Sequence, residues 1–398
     1  MFNEIFCRSR LSILLTLSSV KLWLFASSVF IFMTVVDVTA VEVTAVEVTG
    51  QDATSGQRDA SNHGRLNNGS TGNQRTSVLS KEKVVQRVIF GSCIKQDKPM
   101  PIFEEMLKLN SDLALLIGDN IYGDTDDMAV LRDKYQTLRR NPHYSAFERS
   151  VPILATWDDH DFGLNDGGAD FVKRSESQAE FLHFWNVPKD SARWDREGVY
   201  HCEILGPVGS RLQVILLDTR FFRSPLKQGP TRRVAGPYVA DPDPSKTMLG
   251  DDQWNWLAER LLEPAEIRLV VSSIQCLPEA AGQETWSNLP AERKKFLDLL
   301  RSTSANGVIL LSGDRHWAEL SVLRDELDYP LYELTSSSLN QKHPRGTPSE
   351  NRFRAVPQTF HQENFGVIDV DWSHARPEVE LRLLDAEGQP RISQRVVF

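Results

Sequence analysis

Four stretches of this chain each end on side chains able to hold a metal ion: VIFGSC (88–93), LALLIGDNIY (113–122), VPILATWDDHD (151–161) and GVILLSGDRH (307–316). Each contains a run of apolar residues, the pattern of a strand buried on both faces. Ionised side chains cannot continue such a strand without a heavy desolvation cost, so they mark where it stops. In open α/β sheets, ligands bind in the crevice beyond the carboxyl ends of the strands. The four strands therefore bring Cys93, Asp119, Tyr122, Asp158, Asp159, His160, Asp314 and His316 toward one edge. Thiol, carboxylate, phenol and imidazole groups converging there would repel or desolvate one another unless cations held them. The bland alternative is four unrelated strand-ending turns.

The spacing within each stretch says more. Gly118 directly before Asp119 lets the backbone turn tightly and presents that carboxylate to two cations at once. A bridging carboxylate is the natural way to hold two metals about 4 Å apart. A thiolate from Cys93 and a phenolate from Tyr122 together suit a trivalent or borderline-soft ion, which favours iron. The competing readings are a small buried hydrophobe for Cys93 and a packing aromatic with a wet hydroxyl for Tyr122. A helix start explains one acid in Asp158-Asp159-His160-Asp161, but not three with a histidine. Asn165 follows on the same loop, and amide plus carboxylate oxygens are what calcium or magnesium takes. Asp314 and His316, two apart, share one face of an extended strand end, with Arg315 pointing elsewhere.

A centre of this kind suits hydrolysis. Two cations lower the pKa of a bridging water, aim the hydroxide in line at phosphorus and neutralise the charge that grows on the other oxygens. His160 is then available to protonate the leaving alkoxide. The sequence holds no P-loop, GxSxG, HExxH or CxxC motif, so the reaction classes those motifs mark have little support.

The elements that must position these groups are legible around them. Residues 101–109 read as a helix between the first two strands, a βαβ pattern. Helices are expected at 126–139, 176–185, 253–262 with Asp251 as N-cap, and 290–301, and strands at 212–217 and 268–272. After His316 the strands at 320–323, 331–336, 365–370, 379–384 and 394–398 follow one another without helices, which favours an antiparallel or mixed portion. Two sheets with helices outside accommodate both halves. Residues 340–358 read as a surface loop, Asp218 and Arg220 as a structural salt bridge at a strand end, and Lys173 and Arg174 as a solvated face.

The formal charge of −9 argues against a nucleic-acid partner and accords with a carboxylate-built cation site. Arg8 and Arg10 precede an apolar stretch interrupted by Lys21, and 22–36 is uncharged, the length of a signal-peptide core. Either residues 1–40 are a signal peptide cut after Val38-Thr39-Ala40, or 11–36 stays as a membrane anchor with Lys21 snorkelling to the interface. Both readings export the body to the periplasm, the medium or the outer side of a membrane. Residues 41–83, with the second copy of a VTAVE repeat and a polar tract from Gly50, cannot offset the entropy of ordering and read as a linker. The catalytic domain is expected over 84–398. Besides Cys7 in the leader, three cysteines remain, so at least one is unpaired in a monomer, the expected state. Cys93 is the candidate free thiol, and Cys202 and Cys276 either pair or simply pack.

At these residues the chain resembles the alkaline phosphatase D (PhoD-like) branch of the calcineurin-like metallophosphoesterases. GSC (91–93), GDNIY (118–122), WDDHD (157–161) with Asn165, and SGDRH (312–316) match that branch in order, supported by LDTRFFR (217–223), LGDDQWNWL (249–257) and SSIQ (272–275). The resemblance runs from about Val84 to the end. It implies an α/β fold, a four-layer αββα sandwich of two mixed sheets flanked by helices. It also implies hydrolysis of phosphomonoesters or phosphodiesters at an Fe3+ and Ca2+ centre. Carried over by position, Cys93, Asp119, Tyr122 and His316 are iron-side ligands with Asp119 bridging, Asp159, Asn165 and Asp314 serve calcium, and His160 contacts phosphate. Cys93 stands where the wider class has an Asp-x-His pair, and Asp314 where it has the first histidine of Gly-His-x-His, which puts zinc or manganese in doubt. Asn120 and Asp161 receive no role. Asp158 and Arg315 either support the ligands, contact phosphate or are structural. The expectation is an exported metal-dependent phosphoric ester hydrolase acting through Asp119 and His160. The alternatives are a phospholipase D-like phosphodiesterase of the same fold, or a non-catalytic surface binding module that keeps its metals for stability.

Overall fold

The computed structural model describes residues 79–233, 236–279, 282–342 and 350–398. The expected leader, nearly all of the expected linker and part of the 340–358 loop lie outside them. Residues 79–83, expected in the linker, are docked on the body: Leu79 packs against the core, and the Gly206 N–H donates to the Lys81 carbonyl at 2.7 Å.

In chain order the elements are β1 (Arg87–Gly91), α1 (Ile102–Lys108), β2 (Leu113–Ile117), α2 (Met128–Arg140), α3 (Pro142–Ser150), β3 (Ile153–Thr156), α4 (Asp159–Phe162), α5 (Arg174–Phe184), β4 (His201–Leu205) and β5 (Leu212–Leu216). They continue with β6 (Gln228–Arg233), β7 (Gly236–Tyr238), α6 (Gly250–Leu261), β8 (Ile267–Val271), α7 (Pro290–Ser302) and β9 (Val308–Ser312). The chain closes with β10 (Ala318–Leu323), β11 (Leu331–Ser336), β12 (Asn364–Asp371), β13 (Glu378–Asp385) and β14 (Pro390–Val397).

Two six-stranded mixed sheets result, in the orders β14-β13-β12-β1-β2-β3 and β10-β11-β9-β8-β5-β4, with β6 and β7 forming a separate hairpin. The strands that carry the candidate site are parallel to their neighbours: β1 with β2, β2 with β3, and β8 with β9. Their continuous apolar character follows from burial on both faces. Val88, Phe90, Leu113 and Leu115 of the first sheet share one buried cluster with Val214, Leu216, Leu269 and Ile309 of the second. The alternate residues face outward onto helices. Ile89, Ala114 and Leu116 meet Phe103, Met106, Leu131 and Phe181, while Ile215, Val270 and Leu310 meet Trp254, Leu257, Phe296 and Leu300. The architecture is therefore the expected four-layer αββα sandwich.

Local chemistry sets the helix ends. Asp127 caps α2 by accepting the Ala129 N–H at 2.8 Å, and Asn141 caps α3 through the His143 N–H at 3.0 Å. Asp251 is not the cap of α6. The helix starts earlier, at Gly250, whose N–H is taken by the Thr247 hydroxyl at 2.9 Å. Asp251 then lies in the first turn, where the helix dipole favours an acid. Cys202 and Cys276 are both free thiols, so they pack rather than pair.

Candidate metal centre

Each of the four strands stops short of the residues that carry the chemistry. Cys93, Asp119, Asp314 and His316 all lie in turns with left-handed backbone, at φ of 61, 51, 63 and 57°. Non-glycine residues pay about 1–2 kcal/mol each for this conformation. The parallel strands behind them offset that cost, each fully buried Leu, Ile or Val contributing about 1.5–3 kcal/mol. The turns are also laced to one another. Cys93 and Ile94 N–H groups donate to the Gly118 and Asp119 carbonyls at 3.3 and 2.7 Å, and Gly313 N–H to the Ser273 carbonyl at 2.8 Å. Backbone strain concentrated at strand ends and clamped in this way is characteristic of functional sites.

The side chains converge. Cys93 Sγ lies 3.3 Å and the Tyr122 hydroxyl 3.4 Å from Asp119 Oδ2, and that hydroxyl is 2.9 Å from His316 Nε2. Four overlapping groups each bring their ligand atoms within 4.8 Å of one another: Cys93, Asp119 and His316; Asp119, Asp159 and His160; Asp158, Asp159 and Asp314; and Asp159, Asp166 and Glu284. Asp119 and Asp159 are the shared members.

Asn165, expected on the calcium side, lies at the surface. It is exposed and lines a separate surface cavity of about 600 Å³ with Asp124 and Leu164. Its neighbour Asp166 turns inward instead at φ 52°, donating its N–H to Asp159 Oδ2 at 2.8 Å and accepting the Tyr238 hydroxyl at 2.6 Å.

Supporting contacts explain the residues left without a role. Asp161 accepts N–H bonds from Asp158, Asp119 and Asn120 at 2.6, 3.2 and 3.3 Å, and the Asn120 amide donates to it at 2.6 Å. It thereby ties two site turns together. Asp158 is held by Arg220 Nε at 2.6 Å and the Ser273 hydroxyl at 2.7 Å. The expected Asp218–Arg220 salt bridge does not form. Asp218 accepts the backbone N–H groups of Arg220 and Phe221, each at 2.9 Å, and the Trp157 indole at 2.8 Å. The Arg220 guanidinium turns instead to Asp158 and Glu284. Arg315, expected to point elsewhere, instead pairs with the expected ligand Asp314 at 3.6 Å from its Oδ2 while its guanidinium lies over the Trp317 ring. His160 donates or accepts at Nδ1 with Asp124 Oδ1, 2.6 Å away, and its ring lies 4.1 Å from that of Tyr122.

Sequence reasoning missed Asp124, Asp166, Glu284, Ser273 and Ser337, whose hydroxyl lies 3.1 Å from Cys93 Sγ and accepts the His316 N–H at 2.7 Å. The acids of Asp124 and Asp166 flank the recognised motif, and that proximity was the available signal. Glu284 carries none, since its partners are far away in sequence.

Electrostatics test whether these residues fit cations. Burial pushes the Cys93 thiol up to about 12 and the Asp314 carboxyl to about 7. Burial, then the charges of Cys93 and Asp159, hold Asp119 well above the carboxylate range. Asp159 alone falls, to about 2, because Arg220 and His160 overcome its burial. Burial opposes the charged form of His160, yet Asp119, Asp124 and Asp159 raise it to about 10. Asp119 Oδ1 and Asp158 Oδ2 are buried without a hydrogen-bond partner among the described residues. Unpartnered buried carboxylate oxygens beside a thiol, a phenol and an imidazole form a donor set that cations complete. The residues present fit a metal centre.

A layered αββα body with an acid-, thiol- and imidazole-lined crevice at its strand ends defines the class. Residues 88–381 match the model of the PhoD-like phosphatases, well over half of the chain, and the chain belongs to that family. Alkaline phosphatase D of Bacillus subtilis (strain 168) is 21% identical over 277 residues, covering 60% of this chain and 46% of that protein. The chain thus spans about half the length of this curated relative. A solved structure described as the structure of PhoD aligns with TM-score 0.62 at 17% identity, covering 79% of this chain and 69% of that one. That likeness establishes the fold.

Proposed function

We propose that this chain is an exported, metal-dependent phosphoric ester hydrolase acting on phosphomonoesters, phosphodiesters or both. The observation that carries the reading is the sharing of Asp119 and Asp159 among overlapping donor groups, the arrangement a pair of neighbouring cations requires. Cys93, Asp119, Tyr122 and His316 would hold one ion, with thiol and phenol favouring Fe3+. Asp119, Asp159 and Asp314 would hold the other, an all-oxygen set that suits Ca2+. Bound there, the cations supply Lewis-acid polarisation of the phosphoryl group and neutralise the charge that grows on its oxygens.

The chain's own groups supply the rest. The carboxylates of Asp119, Asp124 and Asp159 favour the charged form of His160 against its burial, and Asp124 fixes its Nδ1 edge at 2.6 Å. Its Nε2 edge is left to contact a phosphoryl oxygen and pass a proton to the departing alkoxide. Arg220 holds Asp158, and the Asp166 N–H holds Asp159 Oδ2 at 2.8 Å. Export rests on Arg8 and Arg10 ahead of the uncharged stretch 22–36.

Purified protein assayed on p-nitrophenyl phosphate and bis-p-nitrophenyl phosphate, before and after chelation, tests the proposal. Turnover of at least one ester, lost on chelation and restored by metal, is the expected result. Retained metal with no turnover of either ester would instead support a surface binding module.

A further inference from the structure

We propose that Lys95 is a specificity-determining residue that contacts the substrate phosphoryl group and sets a preference for dianionic monoesters over monoanionic diesters; this rests on the hydrolase reading above. Lys95 follows Cys93 by two residues, and its ammonium lies 5.0 Å from the centre of the Tyr122 ring. The Tyr122 hydroxyl in turn reaches Asp119 and His316. The lysine therefore stands at the margin of the donor cluster.

The other cations around the cluster are committed. Arg220 and Arg223 pair with Glu284, Arg315 faces Asp314 and Trp317, and His160 is bound to Asp124. Lys134 donates to the Tyr122 and Gly123 carbonyls at 3.0 and 2.8 Å. Among the described residues no carboxylate pairs with the Lys95 ammonium, which is half-buried and lies over the Tyr122 ring beside the place a phosphate ester must occupy.

Its backbone is fixed with unusual care. The Asn340 side chain accepts the Lys95 N–H at 2.6 Å and donates to the Lys95 carbonyl at 3.0 Å, a two-point clamp from the segment that follows β11. The Ile94 N–H donates to the Asp119 carbonyl at 2.7 Å. A flexible side chain on a clamped backbone is suited to follow an anionic group without losing its origin. A second negative charge on the ester strengthens that contact, so the lysine discriminates by charge rather than by shape.

The test compares wild-type holoprotein with Lys95→Gln and Lys95→Arg at about pH 8, where a phosphomonoester is dianionic. In Lys95→Gln, kcat/KM on p-nitrophenyl phosphate should fall about 20-fold, and on bis-p-nitrophenyl phosphate less than about 3-fold, with Lys95→Arg restoring most of the loss. Inorganic phosphate, titrated calorimetrically into the same proteins, should bind about 10-fold more weakly to Lys95→Gln than to Lys95→Arg. Equal losses on both esters, or no loss on either, would overturn the proposal. If the wild type turns over neither ester, the hydrolase reading fails and the phosphate titration decides alone: equal binding overturns the role of Lys95, weaker binding sustains it. Lys95→Met replaces the glutamine variant should that one fail to fold.

Discussion

The Tyr122 hydroxyl lies 2.9 Å from His316 Nε2, although 194 residues separate them along the chain. Tyr122 follows β2 of the first sheet and His316 follows β9 of the second, so this contact crosses the seam between the two sheets. The candidate site is thus assembled only when the sheets are packed face to face, and its integrity depends on the core between them.

With iron on that side, the phenol gives a visible ligand-to-metal band. Purified protein is expected to be coloured, and Tyr122→Phe to shift or remove the band in an absorption spectrum. A colourless, iron-free but fully active wild type would take iron out of the account.

Asp119 belongs to two donor groups, whereas Cys202 lies on β4, away from all of them. Asp119→Ala is expected to lose both metals by elemental analysis and to lower kcat/KM by about 1,000-fold or more, while Cys202→Ala keeps its metal and its activity. The reverse pattern of damage would mean that the wrong edge of the sheets has been chosen.

Gly118 has φ +115°, and a Cβ there would come within 2.6 Å of Asp158 Cβ. Strain and overpacking together make Gly118→Ala destabilising by about 2–4 kcal/mol, read as a lower denaturant midpoint with an unchanged m-value. A midpoint within error of wild type would contradict the tight approach of the two turns.

Burial pushes Cys93 and Asp314 up to about 12 and about 7, so near neutrality, before a cation arrives, the thiol holds its proton and the carboxyl is about half protonated. Ligation needs their deprotonated forms, and metal loading at pH 7 should release about one proton or more per chain. The sign follows directly: raised pKa values make the apparent metal affinity climb as pH rises. Calorimetry in buffers of different ionisation enthalpy measures this, and a buffer-independent heat would contradict it.

Much of this site was legible because burial on both faces leaves an unmistakable mark on the sequence. The apolar runs ending at Gly91, Ile117, Thr156 and Ser312 declare the strands, and the polar residues just past them declare the edge. The short helix α3 was missed because only Tyr144 and Phe147 bury along it, too few to show a helical period. Arg220 was given the wrong partner, and Glu284 missed, for a different reason. Their pairing joins residues 64 apart, and no local pattern encodes such a contact. The inward turn of Asp166 rests on the left-handed conformation of one residue in a loop, which composition does not specify.

The central claim is that Cys93, Asp119, Asp159, Asp314 and His316 share a pair of ions, and anomalous diffraction from crystals of the metal-loaded protein tests it most directly. Two anomalous peaks about 4 Å apart are expected, one bounded by Cys93, Asp119 and His316 and the other by Asp119, Asp159 and Asp314. Metal-loaded, active crystals with no peak among these residues would contradict it.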